Sequence, residues 1–165
     1  MTKHGLLIIG HGSRLEYGKE LILETAKMIS EKTDEYRIIT CSMEFNEPNV
    51  EEGLAAMREE EIDYLVAVPM FLAKGIHVLH DIPEILGLKE GEFRGEFTLA
   101  DGKRVPLIYA GPLGCDPLLA DMMMKNAKIA RQIGTMHRTY RPAPSRGILN
   151  GYSSRGIIFL SFRQA

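Results

Sequence analysis

Tryptophan is absent from the 165 residues, and cysteine occurs only twice, at Cys41 and Cys115. Their spacing matches no thiolate metal site. Two thiols without a disulfide framework suit a reducing compartment, and a cytoplasmic protein is expected. No stretch approaches the ~18 consecutive apolar residues that span a bilayer. The first ten residues run straight into a strand-like pattern and lack the layout of a signal peptide. A dominant charge is missing as well: 20 basic residues face 22 acidic ones, for a formal net charge of −2. That balance supplies no global field for nucleic acid or an anionic membrane, and neither is an expected partner. The Gly-x-Gly-x-x-Gly and Walker patterns of phosphate loops are also missing.

What is present fits one ordinary globular domain, with 45% hydrophobic and 25% charged residues and a length suited to a single core. Apolar runs alternate with amphipathic stretches. Residues 6–9, 38–43, 64–68 and 106–110 read as strands. Residues 17–32, 49–60, 78–86 and 116–133 read as helices. Asn49 or Pro48 starts the second helix, and Asp116 with Pro117 suits the start of the last. Pro83 is awkward inside the third helix unless it lies in a first turn or kink. Residues 91–105 are polar, with a hairpin tip at Ala100-Asp101-Gly102-Lys103. This alternating order predicts an α/β fold, a three-layer sandwich around a mainly parallel four-stranded sheet with right-handed crossovers. Ligands in such sheets bind beyond the C-terminal ends of the strands. Three loops lie there: 10–14, 44–49 and 69–77.

Each of these loops carries chemistry. In Gly10-His11-Gly12-Ser13-Arg14, two glycines let the backbone turn beside His11 and let a bulky ligand approach. A neutral imidazole there can ligate a metal or accept a proton. The N–H groups of Gly12 and Ser13 and the side chain of Arg14 suit an anionic group. A flavodoxin-like phosphate or nucleotide binder using this loop competes, but it leaves His77 and Glu47 without a role. The run Pro69-Met70-Phe71-Leu72-Ala73-Lys74-Gly75-Ile76-His77 offers an apolar wall, a cation and a histidine at a helix start. A flat macrocycle with acidic edges needs that mixture. His77 comes within reach of His11 because both sit at strand ends. His80, one turn on, reads as a supporting or surface residue. In Met43-Glu44-Phe45-Asn46-Glu47-Pro48, Glu44 and Glu47 suit orienting a histidine, attracting a divalent cation or accepting a proton. Equally, they suit a solvated strand end. The run Met122-Met123-Met124 reads as core or interface packing, and Cys115 as a small buried residue.

Residues 131–165 differ in composition, with six arginines and no Lys, Asp or Glu. Without sustained periodicity this basic stretch is expected to be a C-terminal extension that is disordered or outside the conserved fold, leaving residues 1–130 as the domain.

Together, Leu7-Ile8-Ile9-Gly10-His11-Gly12-Ser13-Arg14, Glu44-Phe45-Asn46-Glu47-Pro48 and the run 69–77, with Asp81-Ile82-Pro83 behind, resemble one family in order and spacing. The chain resembles the small sirohydrochlorin cobaltochelatases, including archaeal members that also act as nickelochelatases in coenzyme F430 synthesis. The resemblance implies half of a two-domain class II chelatase, working as a homodimer. It implies that His11 accepts a proton and ligates the metal, and that His77 is the second ligand. Glu47 and residues 72–77 (Leu72, Ala73, Lys74, Gly75, Ile76, His77) would contact the substrate. The expected reaction inserts Co²⁺ or Ni²⁺ into sirohydrochlorin with release of two protons, for cobalamin or coenzyme F430 synthesis. The metal enters as substrate, and no permanently bound cofactor is expected. Insertion of Fe²⁺ for sirohaem, or non-catalytic carriage of metal or tetrapyrrole, are the alternatives.

Overall fold

The computed structural model describes residues 3–139. The chain divides after Pro117 into two units.

The first unit is built on a five-stranded sheet: β1 (His4–Gly10), β2 (Tyr36–Ser42), β3 (Leu65–Pro69), β4 (Arg94–Thr98) and β5 (Arg104–Tyr109), in the order β2-β1-β3-β5-β4. The first four positions are parallel, and β4 pairs antiparallel with β5 at the edge. Helix α1 (Glu16–Ser30) covers one face, where Ile22 packs on Leu6 and Ile8. On the other face lie α2 (Val50–Arg58) and α3 (Ile82–Ile85). There Val50, Leu54, Met57 and Ile82 pack with Leu7, Ile9, Leu65, Ala67 and Leu107. Residues of β1 thus alternate between two cores, as a strand buried on both faces must. The expected α/β three-layer sandwich with a mostly parallel sheet is the observed one.

The strand count is corrected from four to five. The hairpin tip lies where expected, with the Leu99 N–H donating to the Lys103 carbonyl, but the stretch before it is a full strand. In β4 only Phe97 is buried. An edge strand with one face on the core presents a polar sequence and hides its period.

Local signals place the other elements. Asn49 caps α2: its side chain accepts from the Glu52 N–H at 2.9 Å while Glu52 accepts from the Asn49 N–H at 2.8 Å. This reciprocal box satisfies two otherwise orphaned donors. The third expected helix is two pieces. A π-helical turn spans His77–Asp81, and α3 follows with Pro83 in its first turn. Restarting the helix puts the proline where a missing N–H costs nothing.

The second unit begins at Leu118, and α4 (Pro117–Thr139) is its described element. Met122, Met123 and Met124 are exposed on it rather than packed, as is Cys115 ahead of it. Apolar spacing marks a face; it does not say what covers that face. The arginine-rich stretch lies outside the described residues from position 140 onward. Among the described residues, no helix is long and apolar enough to cross a membrane.

Candidate functional site

In sheet order, β1 lies between β2 and β3, so the chain's crossovers leave it in opposite directions. A crevice forms at such a switch point, beyond the strand ends. His11 follows β1, Glu44 follows β2 and residues 70–77 follow β3, so all three loops meet there.

Backbone contacts lock these loops together. The Glu44 N–H donates to the His11 carbonyl at 3.0 Å, and the Met43 N–H donates to the Gly10 carbonyl at 2.9 Å. The Asn46 side-chain oxygen accepts from the Ser13 N–H at 2.8 Å. The Asn46 N–H donates to the Glu44 carbonyl at 2.7 Å, closing a tight turn with Phe45 at φ 61°. A positive φ is uncommon for a bulky residue and marks a constrained loop. Gly12 has φ 91°, and a Cβ there would lie 1.7 Å from the Glu44 carbonyl oxygen. Only glycine permits that approach.

The result is a cluster of rings. The centroids of His11 and His77 lie 5.0 Å apart, nearly perpendicular. Phe71 sits 5.8 Å from His11 and 6.2 Å from His77. Glu44 Oε1 is 3.8 Å from His77 Nε2. His77 Nδ1 is 2.6 Å from Asp81 Oδ2. His11 is exposed and His77 partly buried, so the pair opens to solvent. Among the described residues, no three His, Cys, Asp or Glu side chains gather closely enough to cage a metal. The two imidazoles are an open pair of nitrogen donors of borderline character, a type suited to Co²⁺, Ni²⁺ or Fe²⁺.

Around the rings the rim is apolar and open. Leu15, Phe45, Leu72, Ile76 and Leu113 are each more than half exposed. Arg14 stacks over the Phe45 ring at 5.0 Å, which places a planar cation on this rim. Ala73, Lys74 and Gly75 are exposed along the loop, and a Cβ at Gly75 would meet no atom. Lys74 also borders a groove of about 270 Å³ with Leu79, Phe93 and Tyr109. A cavity of about 590 Å³ lies at the opposite, amino-terminal end of the strands, lined by Arg58, Asp63 and Lys103 among others. It contains none of the candidate site residues.

The structure therefore brings His11, His77 and Glu44 together. Glu47 faces elsewhere, lining a narrow crevice with Lys19, Ile22 and Leu23 against α1. His80 is exposed on the π turn, and Asp81, not His80, meets His77. Sequence reasoning gave no role to Asp81, Asn46 or Tyr109. The His77–Asp81 spacing of four was a readable signal. Nothing local pointed to Tyr109, whose hydroxyl donates to the Val78 carbonyl at 2.9 Å across 31 residues. Burial pushes that phenol up to about 12, so it remains a donor.

Known proteins resemble both the sequence and the fold. A family model described as CbiX matches residues 5–130. The sirohydrochlorin cobaltochelatase of Methanosarcina acetivorans is 43% identical over 129 residues, covering 78% of this chain and 97% of that protein. Its namesake from Methanothermobacter thermautotrophicus is 34% identical over 137 residues, covering 78% and 93%. Among solved structures, a putative cobalamin biosynthesis CbiX protein from Marinobacter aquaeolei VT8 shares the fold at TM-score 0.56 and 22% identity, covering 78% of this chain and 98% of that one. SirB from Bacillus subtilis with Fe³⁺ shares it at TM-score 0.55 and 24% identity, over 70% of this chain. The present chain spans 42% of the SirB length. With the family model covering most of the sequence, and near-full-length relatives above 40% identity, the chain belongs to the CbiX family of small class II chelatases.

Proposed function

We propose that this chain inserts Co²⁺ or Ni²⁺ into sirohydrochlorin in the cleft between His11 and His77. The observation that carries the reading is the convergence of two imidazoles from separate strand-end loops, 5.0 Å apart, on an open and apolar rim. The names of the relatives supply the macrocycle.

Metal insertion exchanges two pyrrole protons for one divalent ion, so the protein must hold a metal loosely and take up protons. His11 and His77 present neutral nitrogen donors to the ion, and Glu44 adds a negative charge 3.8 Å from His77 Nε2. An open set binds the metal without trapping it. As the metal enters the ring, His11 accepts one pyrrole proton; the second passes to Glu44 or to solvent. General-base help of this kind is worth about 10²–10⁴-fold. Leu72, Ile76 and Phe45 pack on the face of the macrocycle. Arg14, Lys74 and the loop N–H groups take its carboxylates. Binding energy from those edges favours a bent ring whose nitrogen lone pairs face the metal. A second copy of the chain closes the open side of the cleft, and the reaction takes place in the cytoplasm. With cobalt the product serves cobalamin synthesis, and with nickel coenzyme F430.

The test mixes purified protein with sirohydrochlorin and each of Co²⁺, Ni²⁺ and Fe²⁺, and follows absorbance against an enzyme-free blank. Insertion of cobalt or nickel well above the blank is expected. His11→Ala and His77→Ala should each slow it at least ~100-fold with unchanged thermal unfolding. Near-normal turnover in both variants sinks the assignment. A preference for Fe²⁺ makes the protein a ferrochelatase, and binding without any spectral change makes it a carrier.

A further inference from the structure

We infer that Asp81 is a positioning residue that fixes the proton of the His77 ring on Nδ1 and so keeps the Nε2 lone pair free for a metal. This rests on the chelatase reading only in taking His77 as a ligand.

The geometry is specific. Asp81 Oδ2 lies 2.6 Å from His77 Nδ1, the short distance of a charge-assisted bond. An ionised carboxylate only accepts, so Nδ1 carries the hydrogen and Nε2 does not. That leaves Nε2 as the acceptor nitrogen, on the side where Glu44 approaches. Asp81 has no capping role to explain its presence: it precedes α3 yet makes no side-chain cap bond. The turn that aligns the pair is itself pinned. The Leu79 N–H donates to the Gly75 carbonyl at 3.0 Å, and the Tyr109 hydroxyl holds the Val78 carbonyl at 2.9 Å. The carboxylate also fixes the orientation of the ring it holds, which aims Nε2 at an incoming metal. Among the described residues no equivalent orients His11, whose Nδ1 has the neighbouring Gly12 carbonyl at 3.3 Å. The two imidazoles are therefore unequal: His77 is held as a ligand, while His11 is left free to turn and take a proton.

Nitrogen-15 spectra of the metal-free protein at alkaline pH read the tautomer directly. His77 should be protonated at Nδ1. Asp81→Asn keeps the shape and removes the charge; Asp81→Ala removes both. In each, the form protonated at Nε2 should grow. Affinity for Co²⁺ alone should fall about 10–100-fold in both. A wild-type ring protonated at Nε2, unchanged tautomers in both variants, or cobalt affinity within twofold of wild type would overturn the inference. Loss of insertion in His77→Ala with an Nε2-protonated wild-type ring would sink this inference alone and leave the chelatase reading standing.

Discussion

Replacing Gly12 with alanine is expected to disable the site by moving backbone rather than by removing a reactive group. A Cβ at this position would lie 1.7 Å from the Glu44 carbonyl oxygen and 2.7 Å from its carbon. Relieving that clash requires the two loops to part by more than about 1 Å, and a displacement of that size in a reacting group costs on the order of 10²-fold in rate. The residue also sits at φ 91°, where a side chain adds about 1–3 kcal/mol of strain. Repacking of the contact costs a further ~1–3 kcal/mol. Stability should thus fall by roughly 2–6 kcal/mol and the midpoint of thermal unfolding by on the order of 10 °C. The separating loops carry His11 and Glu44, so cobalt insertion should drop ~100-fold even where the variant is fully folded. Gly111→Ala is the matched control. It follows β5 at the same end of the sheet, but its Cβ meets nothing within 4 Å and its φ is not positive. It should keep wild-type stability and near-normal rate. The assay pairs initial rates of cobalt insertion with thermal unfolding of both variants. A Gly12→Ala protein within threefold of wild-type rate, with an unshifted midpoint, would refute the argument that loop contact sets the histidine geometry.

Burial pushes the Cys41 thiol up to about 12 from an ordinary 9.0, while Cys115 is exposed. Native protein at pH 8 should therefore take one equivalent of a maleimide, at Cys115, and a second only when unfolded; rapid double labelling would contradict this. The same shift makes stability pH-dependent. Above pH 9 the unfolded chain holds fewer protons than the folded one, so stability falls as pH rises towards 12, by about 1.4 kcal/mol at pH 10 from Cys41 alone. Urea midpoints at pH 8 and 10 should differ less in Cys41→Ala than in wild type, and equal differences would rule the thiol out as the source. Tyr109→Phe removes the bond to the Val78 carbonyl and should cost about 0.5–1.5 kcal/mol. Because that carbonyl belongs to the turn bearing His77, metal insertion should slow several-fold as well; an unchanged rate would show that the turn holds its shape without the phenol.

The sheet was legible because its strands differ in how much they bury. β1 and β3 lie inside a parallel sheet with both faces covered, and such strands must be continuous apolar runs. β4 touches the core through one side chain, and no single-sequence pattern separates it from a polar loop. Pro83 carried an ambiguous signal. Its missing N–H forbids a helix interior, but either a kink or a restart satisfies that rule, and the packing of Ile82 into the core selects a restart.

By itself the amino-acid order determined the fold class, the three loops that meet at one end of the sheet, and the two histidines they carry. Alternating apolar and amphipathic segments allow few architectures, and a parallel sheet sends every such loop to the same edge. The partners of each histidine were a matter for the tertiary structure. Glu44 and Glu47 are three residues apart in one loop, and the turn at Phe45 sends one towards His77 and the other towards α1. Asp81 was visible at a suggestive spacing, yet only a distance of 2.6 Å makes it a hydrogen-bond partner of the His77 ring. Direction and distance between side chains on separate elements arise from packing in three dimensions, and a one-dimensional pattern does not encode them.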